Sequence, residues 1–330
     1  SSLPRTDADH LFGVIARMKS RGVAVIYISH FLEECARVCD RYTVLRDGAN
    51  VAGGAMASAS ASELIHHMVG RAVDELYPRI AHAIGEPLLE ARGIAGKRKP
   101  RNVTFTLRRG EILGIAGLIG AGRTETLRAM FGLDPLKAGN VEVSAKKAER
   151  RISPRQRWAD RIGLLSENRK EEGLMPGRTI AENLLLTCYE RVSCCGIIND
   201  RAERALAANA VRMMEVKAAS SQQTVQELSG GNQQKVALGR LLVHDARILL
   251  LDEPTRGVDV ASKASIYQRI GEAAAAGHAV VFVSSYLPEL LGICDTIGVM
   301  CRGVLSAVRP ASAWSEHEII ATAIAQDSAA

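Results

Sequence analysis

Aromatic side chains are scarce, at 4 % of 330 residues. Few planar platforms exist on which nucleic-acid bases could stack. Long apolar runs are missing too: a charge-free stretch such as Ile112 to Gly122 falls well short of the roughly 18 residues that cross a bilayer as a helix. The chain therefore reads as one that does not span a membrane. Seven cysteines, an odd number, lie at Cys35, Cys39, Cys188, Cys194, Cys195, Cys294 and Cys301. Without paired CxxC sets they exclude a zinc ribbon and point to a reducing compartment. The opening Ser1-Ser2-Leu3-Pro4 has no initiator methionine, basic n-region or apolar h-region, so no secretion signal is expected there. Lysine and arginine number 42 against 36 acids, a net +6, which is modest for a nucleic-acid binder. What is present is ordinary globular material, 47 % apolar and 24 % charged, long enough for about two domains.

The chain repeats itself. Ala24-Val-Ile-Tyr-Ile-Ser-His30 matches Ala279-Val-Val-Phe-Val-Ser-Ser285, and Cys39-Asp40 then meets Cys294-Asp295 in the same register. The match runs without a gap from Ile15/Ile270 to Gly48/Gly303, so about the first fifty residues duplicate a stretch near the C-terminus. The second copy begins near Pro87, and most of its length has no upstream counterpart. Strand-length apolar runs (Val23 to Ser29, Ile112 to Ala116, Ile248 to Leu251, Ala279 to Ser284) alternate with amphipathic segments (Thr124 to Phe131, Lys263 to Ala275). That alternation predicts an α/β fold with a largely parallel sheet. Between residues 173 and 236 helical pattern replaces strand pattern, which predicts an inserted helical subdomain. The expected organisation is a remnant domain over 1–70, a linker over 71–86 and a full domain over 87–330.

Gly117-Leu118-Ile119-Gly120-Ala121-Gly122-Arg123-Thr124 follows a strand and opens a helix, where backbone N–H groups and a helix N-terminus can cradle phosphate. Its spacing is that of a P-loop with arginine in the lysine position, and a planar fork does not replace a compact ammonium. Downstream, Ile248-Leu-Leu-Leu-Asp252-Glu253 ends an apolar strand in two carboxylates, the first suited to Mg²⁺ and the second to orienting or deprotonating a water. Between them, Leu228-Ser229-Gly230-Gly231-Asn232 precedes a helical run. Two glycines there weaken a helix by about 1 kcal/mol each, a cost that close backbone approach to a ligand would explain. Ser229 and the amides behind it make a second helix-start anion site.

In this order the motifs resemble those of the ATP-binding subunit of an ATP-binding-cassette (ABC) transporter. Gly117 to Thr124 stands at the Walker A motif, Leu228 to Asn232 at the signature, Asp252 and Glu253 at Walker B, Gly257 to Asp259 at the D-loop, and Leu165 to Arg169 at the Q-loop. The duplication narrows the resemblance to the double-cassette importers of ribose, galactose and related monosaccharides. It implies a P-loop NTPase cassette with a mixed sheet core and helical subdomain, preceded by a partial first cassette. ATP and Mg²⁺ are the implied ligands, the metal on Thr124, Asp252 and Glu167. The implied partners are a transmembrane sugar permease, indirectly a periplasmic sugar-binding protein, and a second cassette or complete homologous chain. The implied place is the cytoplasmic face of the inner membrane, held peripherally; nucleic acid is not expected.

The resemblance also assigns His30 to the switch histidine, which contacts the γ-phosphate, and Glu253 to the catalytic base. Ser285 stands where the second copy would carry that histidine, and Glu167 replaces a glutamine. Pro4 takes the first D-loop aspartate position. Two readings follow: an energising ATPase subunit, or a truncated, weakly hydrolysing nucleotide-binding module with an assembly or regulatory role. The basic clusters Lys97 to Arg101 and Lys146 to Arg157 read as solvated loops, Cys35 and Cys39 as filler, and Tyr77 and Trp158 as packing residues. No aromatic stands near Arg92 to Gly96, where adenine would stack.

Overall fold

The structure, a computed structural model, describes residues 5–29, 32–46, 48–69, 77–143 and 152–325. His30 and Pro4 lie outside the described residues, as do residues 70–76 and residues 146–151 of the second basic cluster. Two compact units result, Ser1–Pro78 with Arg256–Ser265, and Arg79–Thr255 with Ile266–Ala330. No helix among the described residues is long and apolar enough to cross a membrane.

The duplication continues further than the sequence match suggested. Helices Arg5–Ser20, Leu32–Val38 and Ala61–Val69 recur in the same register as Val260–Ala275, Leu287–Ile293 and Glu316–Ile324. Strand Arg41–Arg46 likewise recurs as Thr296–Cys301. In the first unit Val44, Met56 and Leu64 form a small core, with Leu32 and Tyr42 packed against it.

One repeated piece behaves differently. The strand expected over Val23 to Ser29 does not form; these residues take no regular secondary structure and belong to no sheet. Ile26 and Ile28 are each 92 % exposed. Their counterpart Ala279–Val283 is wholly buried because Ile248–Asp252 and Ile112–Gly117 pair with it on either side. Val23 to Ser29 has no such flanking strands among the described residues, and a β-rich composition alone does not make a ladder.

The second unit carries the expected mixed sheet. Its order is Val304–Leu305, Thr296–Cys301, Ile112–Gly117, Ala279–Val283, Ile248–Asp252 and Ile162–Leu165. From Thr296–Cys301 onward all neighbours are parallel. Such strands are buried on both faces and read as continuous apolar runs. A three-stranded antiparallel sheet (Val103–Arg108, Pro87–Ala95, Ala138–Val143) shares one core with it, Leu89, Ile94 and Leu107 joining Leu113, Ile115, Leu127 and Val281. Residues 79–85 are tied to this unit rather than free of it: Arg79 donates to the carbonyls of Gly292 and Leu291, and His82 pairs with Asp295 at 3.0 Å.

The inserted region holds helices Ile180–Leu185, Asp200–Met213 and Gly230–Val243. It is not wholly helical, since Ser193–Cys194 and Ile197–Ile198 form a minimal hairpin. Trp158 packs edge-on against Phe131 and His244. Arg157, read as part of a solvated cluster, is instead buried, donating from Nε to the Met130 carbonyl at 2.8 Å.

Candidate functional site

Four neighbouring parallel strands end at the same edge of the sheet, and each hands over a candidate residue there. Ile112–Gly117 leads into the glycine loop, Ala279–Val283 into Ser284 and Ser285, Ile248–Asp252 into Glu253, and Ile162–Leu165 toward Glu167. Crevices at the carboxyl ends of parallel strands are where α/β folds bind ligands. Gly117 has to be glycine: its φ is +153°, and a Cβ would lie 2.6 Å from the Met300 carbonyl oxygen. Gly122, at φ +109°, turns the chain into the helix Arg123–Phe131. Leu118 and Ile119 project into solvent at the loop tip, while Ala121 is buried.

The loop and the carboxylates meet. Thr124 hydrogen-bonds the Asp252 carboxylate, and the Arg123 guanidinium lies 3.6 Å from Glu253, with both side chains nearly buried. Arg123 Nη1 also donates to the Ser284 carbonyl at 2.8 Å. The arginine is thus turned across the strand ends. The hydroxyl of Ser285 hydrogen-bonds Glu253, so the residue standing at the histidine position contacts the carboxylate itself. Glu253 takes a left-handed backbone, φ 47°, which costs an ordinary side chain about 1–2 kcal/mol. Its N–H is held by the Val283 carbonyl at 2.9 Å.

Burial governs the charges here. It pushes Asp252 up to about 6, against the opposing effect of the Thr124 hydrogen bond and the Arg123 charge. It pushes Glu253 up to about 7, against Arg123 and the Ser285 hydroxyl. Both carboxyls hold protons more tightly folded than unfolded, so their contribution to stability is full below the unfolded values and is lost as pH rises through the folded ones. Without metal or nucleotide, melting temperature should fall between about pH 4 and pH 7 relative to an Asp252→Asn, Glu253→Gln double variant. A scan in chelator that rises over that interval relative to the double variant would contradict it.

Asp252 Oδ1 is buried and has no hydrogen-bond partner. An orphaned carboxylate oxygen beside a threonine hydroxyl fits Mg²⁺, a hard cation that takes oxygen ligands. Glu167, half-buried, follows the strand whose Leu165 is paired with Leu251. The acids whose charge bears on Asp252 are Glu125 and Glu172, neither of which motif spacing singled out. Glu125 directly follows the glycine motif and was open to notice; Glu172 arrives through the fold, its carboxylate held by Ser166 and Arg128. Glu289, also missed, is buried and accepts from Thr255 at 2.8 Å and Ser284 at 3.0 Å.

Ser229 caps the helix Gly230–Val243, accepting from the Asn232 backbone at 3.5 Å and its side-chain amide at 2.9 Å. The helix expected to follow the motif instead begins inside it, at Gly230. Gly230 and Gly231 therefore form its first turn, where N–H groups have no intrahelical partner. Asp259 plays the same part for Val260–Ala275, accepting from Ser262 N at 2.9 Å.

Lys99 was read with its neighbours as a solvated charge. Its Nζ donates to the Gly120 carbonyl of the glycine loop.

A glycine loop opening a helix, set against a strand-end pair of buried carboxylates, defines a P-loop nucleotide-binding domain. Residues 100–256 match the family described as ABC transporter. The ribose import ATP-binding protein of Geobacillus kaustophilus is 41 % identical over 308 residues, 93 % of this chain and 62 % of that protein. A second ribose import ATP-binding protein, from Streptomyces coelicolor, is 41 % identical over 98 % of this chain and 62 % of its own length. A dimeric ATP-binding cassette solved with ADP and Pi superposes with a TM-score of 0.60 at 21 % identity, covering 69 % of this chain and all of that one. Residues 100–256 carry an ABC transporter domain, and the chain spans about 62 % of the length of the curated relatives it matches.

Proposed function

We propose that this chain is the ATP-binding and ATP-hydrolysing part of a monosaccharide importer of the ribose and galactose type. The reading is carried by one observation, the convergence of Arg123 and Thr124 from the glycine loop on Asp252 and Glu253. Gly117, Leu118, Ile119, Gly120, Ala121, Gly122 and Thr124 bind the polyphosphate, and Glu253 orients the attacking water. Thr124, Asp252 and Glu167 hold Mg²⁺, which when bound neutralises phosphate charge. Ser229, Gly230 and Gly231 present unpaired amides to nucleotide carried by a second cassette, and His30 serves the corresponding site there. The partners are a transmembrane sugar permease, fed by a sugar-binding protein, at the cytoplasmic face of the membrane. Residues 1–70 form a partial first cassette, 71–86 a linker whose residues 79–85 are anchored on the second unit, and 87–330 the second cassette, with 173–236 as its helical subdomain.

Slow turnover by the isolated chain is the second reading, and a specific contact favours it. Arg123 is committed to Ser284 and Glu253, so phosphate has to compete for it, and the base it pairs with is partly protonated near neutrality. ATP hydrolysis by the 330-residue chain, measured with and without the permease, tests both readings. Weak Mg-ATP binding and slow turnover alone, rising with the permease, are expected; rapid turnover alone would overturn the second reading, and no ATP binding in either state the first. Arg123→Lys should tighten ATP binding several-fold, because an ammonium matches the loop and does not span to both Ser284 and Glu253. An unchanged or weaker affinity in a titration would show arginine to be an adapted phosphate ligand.

A further inference from the structure

We propose that Lys99 supplies the terminal phosphates of the nucleotide with the positive charge that Arg123 does not. The inference rests on the glycine loop being an ATP site and assigns that site a residue from outside its motifs. Lys99 differs from the exposed Lys97 and Arg98 beside it in being half-buried. Its stem lies against the loop: a Cβ built on Gly122 would come within 3.2 Å of Lys99 Cβ. Its ammonium donates to the carbonyl of Gly120, so it sits at the rim of the cradle.

The segment carrying it is held in place. Gly96 N–H donates to the Pro100 carbonyl at 2.8 Å, and Arg101 N–H to the Gly303 carbonyl at 2.6 Å, next to the strand Thr296–Cys301. Lys99 is therefore positioned by the antiparallel sheet's loop and not by a freely moving tail. Arg123, by contrast, is already engaged by Ser284 and Glu253. Drawing it to phosphate would leave the nearly buried Glu253 without its counter-charge, a costly exchange. Lys99 has only a neutral carbonyl to give up. A phosphate oxygen is the stronger, charge-assisted partner for a compact ammonium.

The test is ATP binding by the full chain, titrated over a series of KCl concentrations, for the wild type and for Lys99→Ala, Lys99→Arg and Lys97→Ala. Lys99→Ala should raise Kd on the order of tenfold and flatten its salt dependence, with no change in melting temperature. Lys99→Arg should restore most of the affinity, and Lys97→Ala should change it less than twofold. Equal losses at positions 97 and 99 would reduce the effect to diffuse surface charge and overturn the assignment. So would ATP binding that survives Lys99→Ala with its salt dependence intact, and that result would leave the glycine-loop site standing. A wild-type chain that binds no ATP would remove the site and this assignment together.

Discussion

Asp252→Asn is expected to abolish Mg²⁺-dependent ATP binding while making the ligand-free protein more stable. The carboxylate is buried, one of its oxygens has no partner, and burial lifts its pKa to about 6. Near pH 8 the folded chain keeps an ionised group in a place that favours the neutral form. An amide removes that charge and still accepts the Thr124 hydrogen bond. Two pKa units correspond to about 3 kcal/mol, and for a chain of 330 residues that raises the melting temperature by about 4 °C. Calorimetry in chelator at pH 8 reads the gain, and ATP titration with and without Mg²⁺ reads the loss. A variant that melts lower than the wild type, or that still responds to Mg²⁺, would show the aspartate to be structural.

Glu253→Gln should lower whatever ATP turnover the chain sustains by about 10²–10⁴-fold, the usual worth of a positioned general base. ATP affinity should hold or rise, because the Arg123 guanidinium loses its counter-charge and becomes available to phosphate. Single-turnover hydrolysis separates the two effects. If the rate falls less than about tenfold, Glu253 does not position the attacking water, and the left-handed backbone that presents it serves packing alone.

Residue chemistry that is local in sequence is legible without the fold. The glycine loop, the Asp252-Glu253 pair and the Ser229 cap each depend on a few consecutive residues, and each sits in the predicted setting. Directions taken by long side chains were not readable. Arg123 finds its partners at Ser284 and Glu253, which neighbouring strands deliver, and nothing in the motif spacing says which way the guanidinium turns. Lys99 was hidden for the opposite reason, since it sits in a basic run whose other members are exposed. Val23 to Ser29 shows the limit most plainly. Its apolar, β-branched pattern is that of Ala279 to Ser284, yet strand formation belongs to the neighbours as much as to the residues.

That segment has a practical consequence at the bench. Ile26 and Ile28 stand almost fully in water beside backbone groups that no ladder occupies, and such a stretch is a template for intermolecular pairing. Concentrated solutions of the chain should self-associate reversibly before they precipitate, and the double substitution Ile26→Lys, Ile28→Lys should extend the usable concentration range.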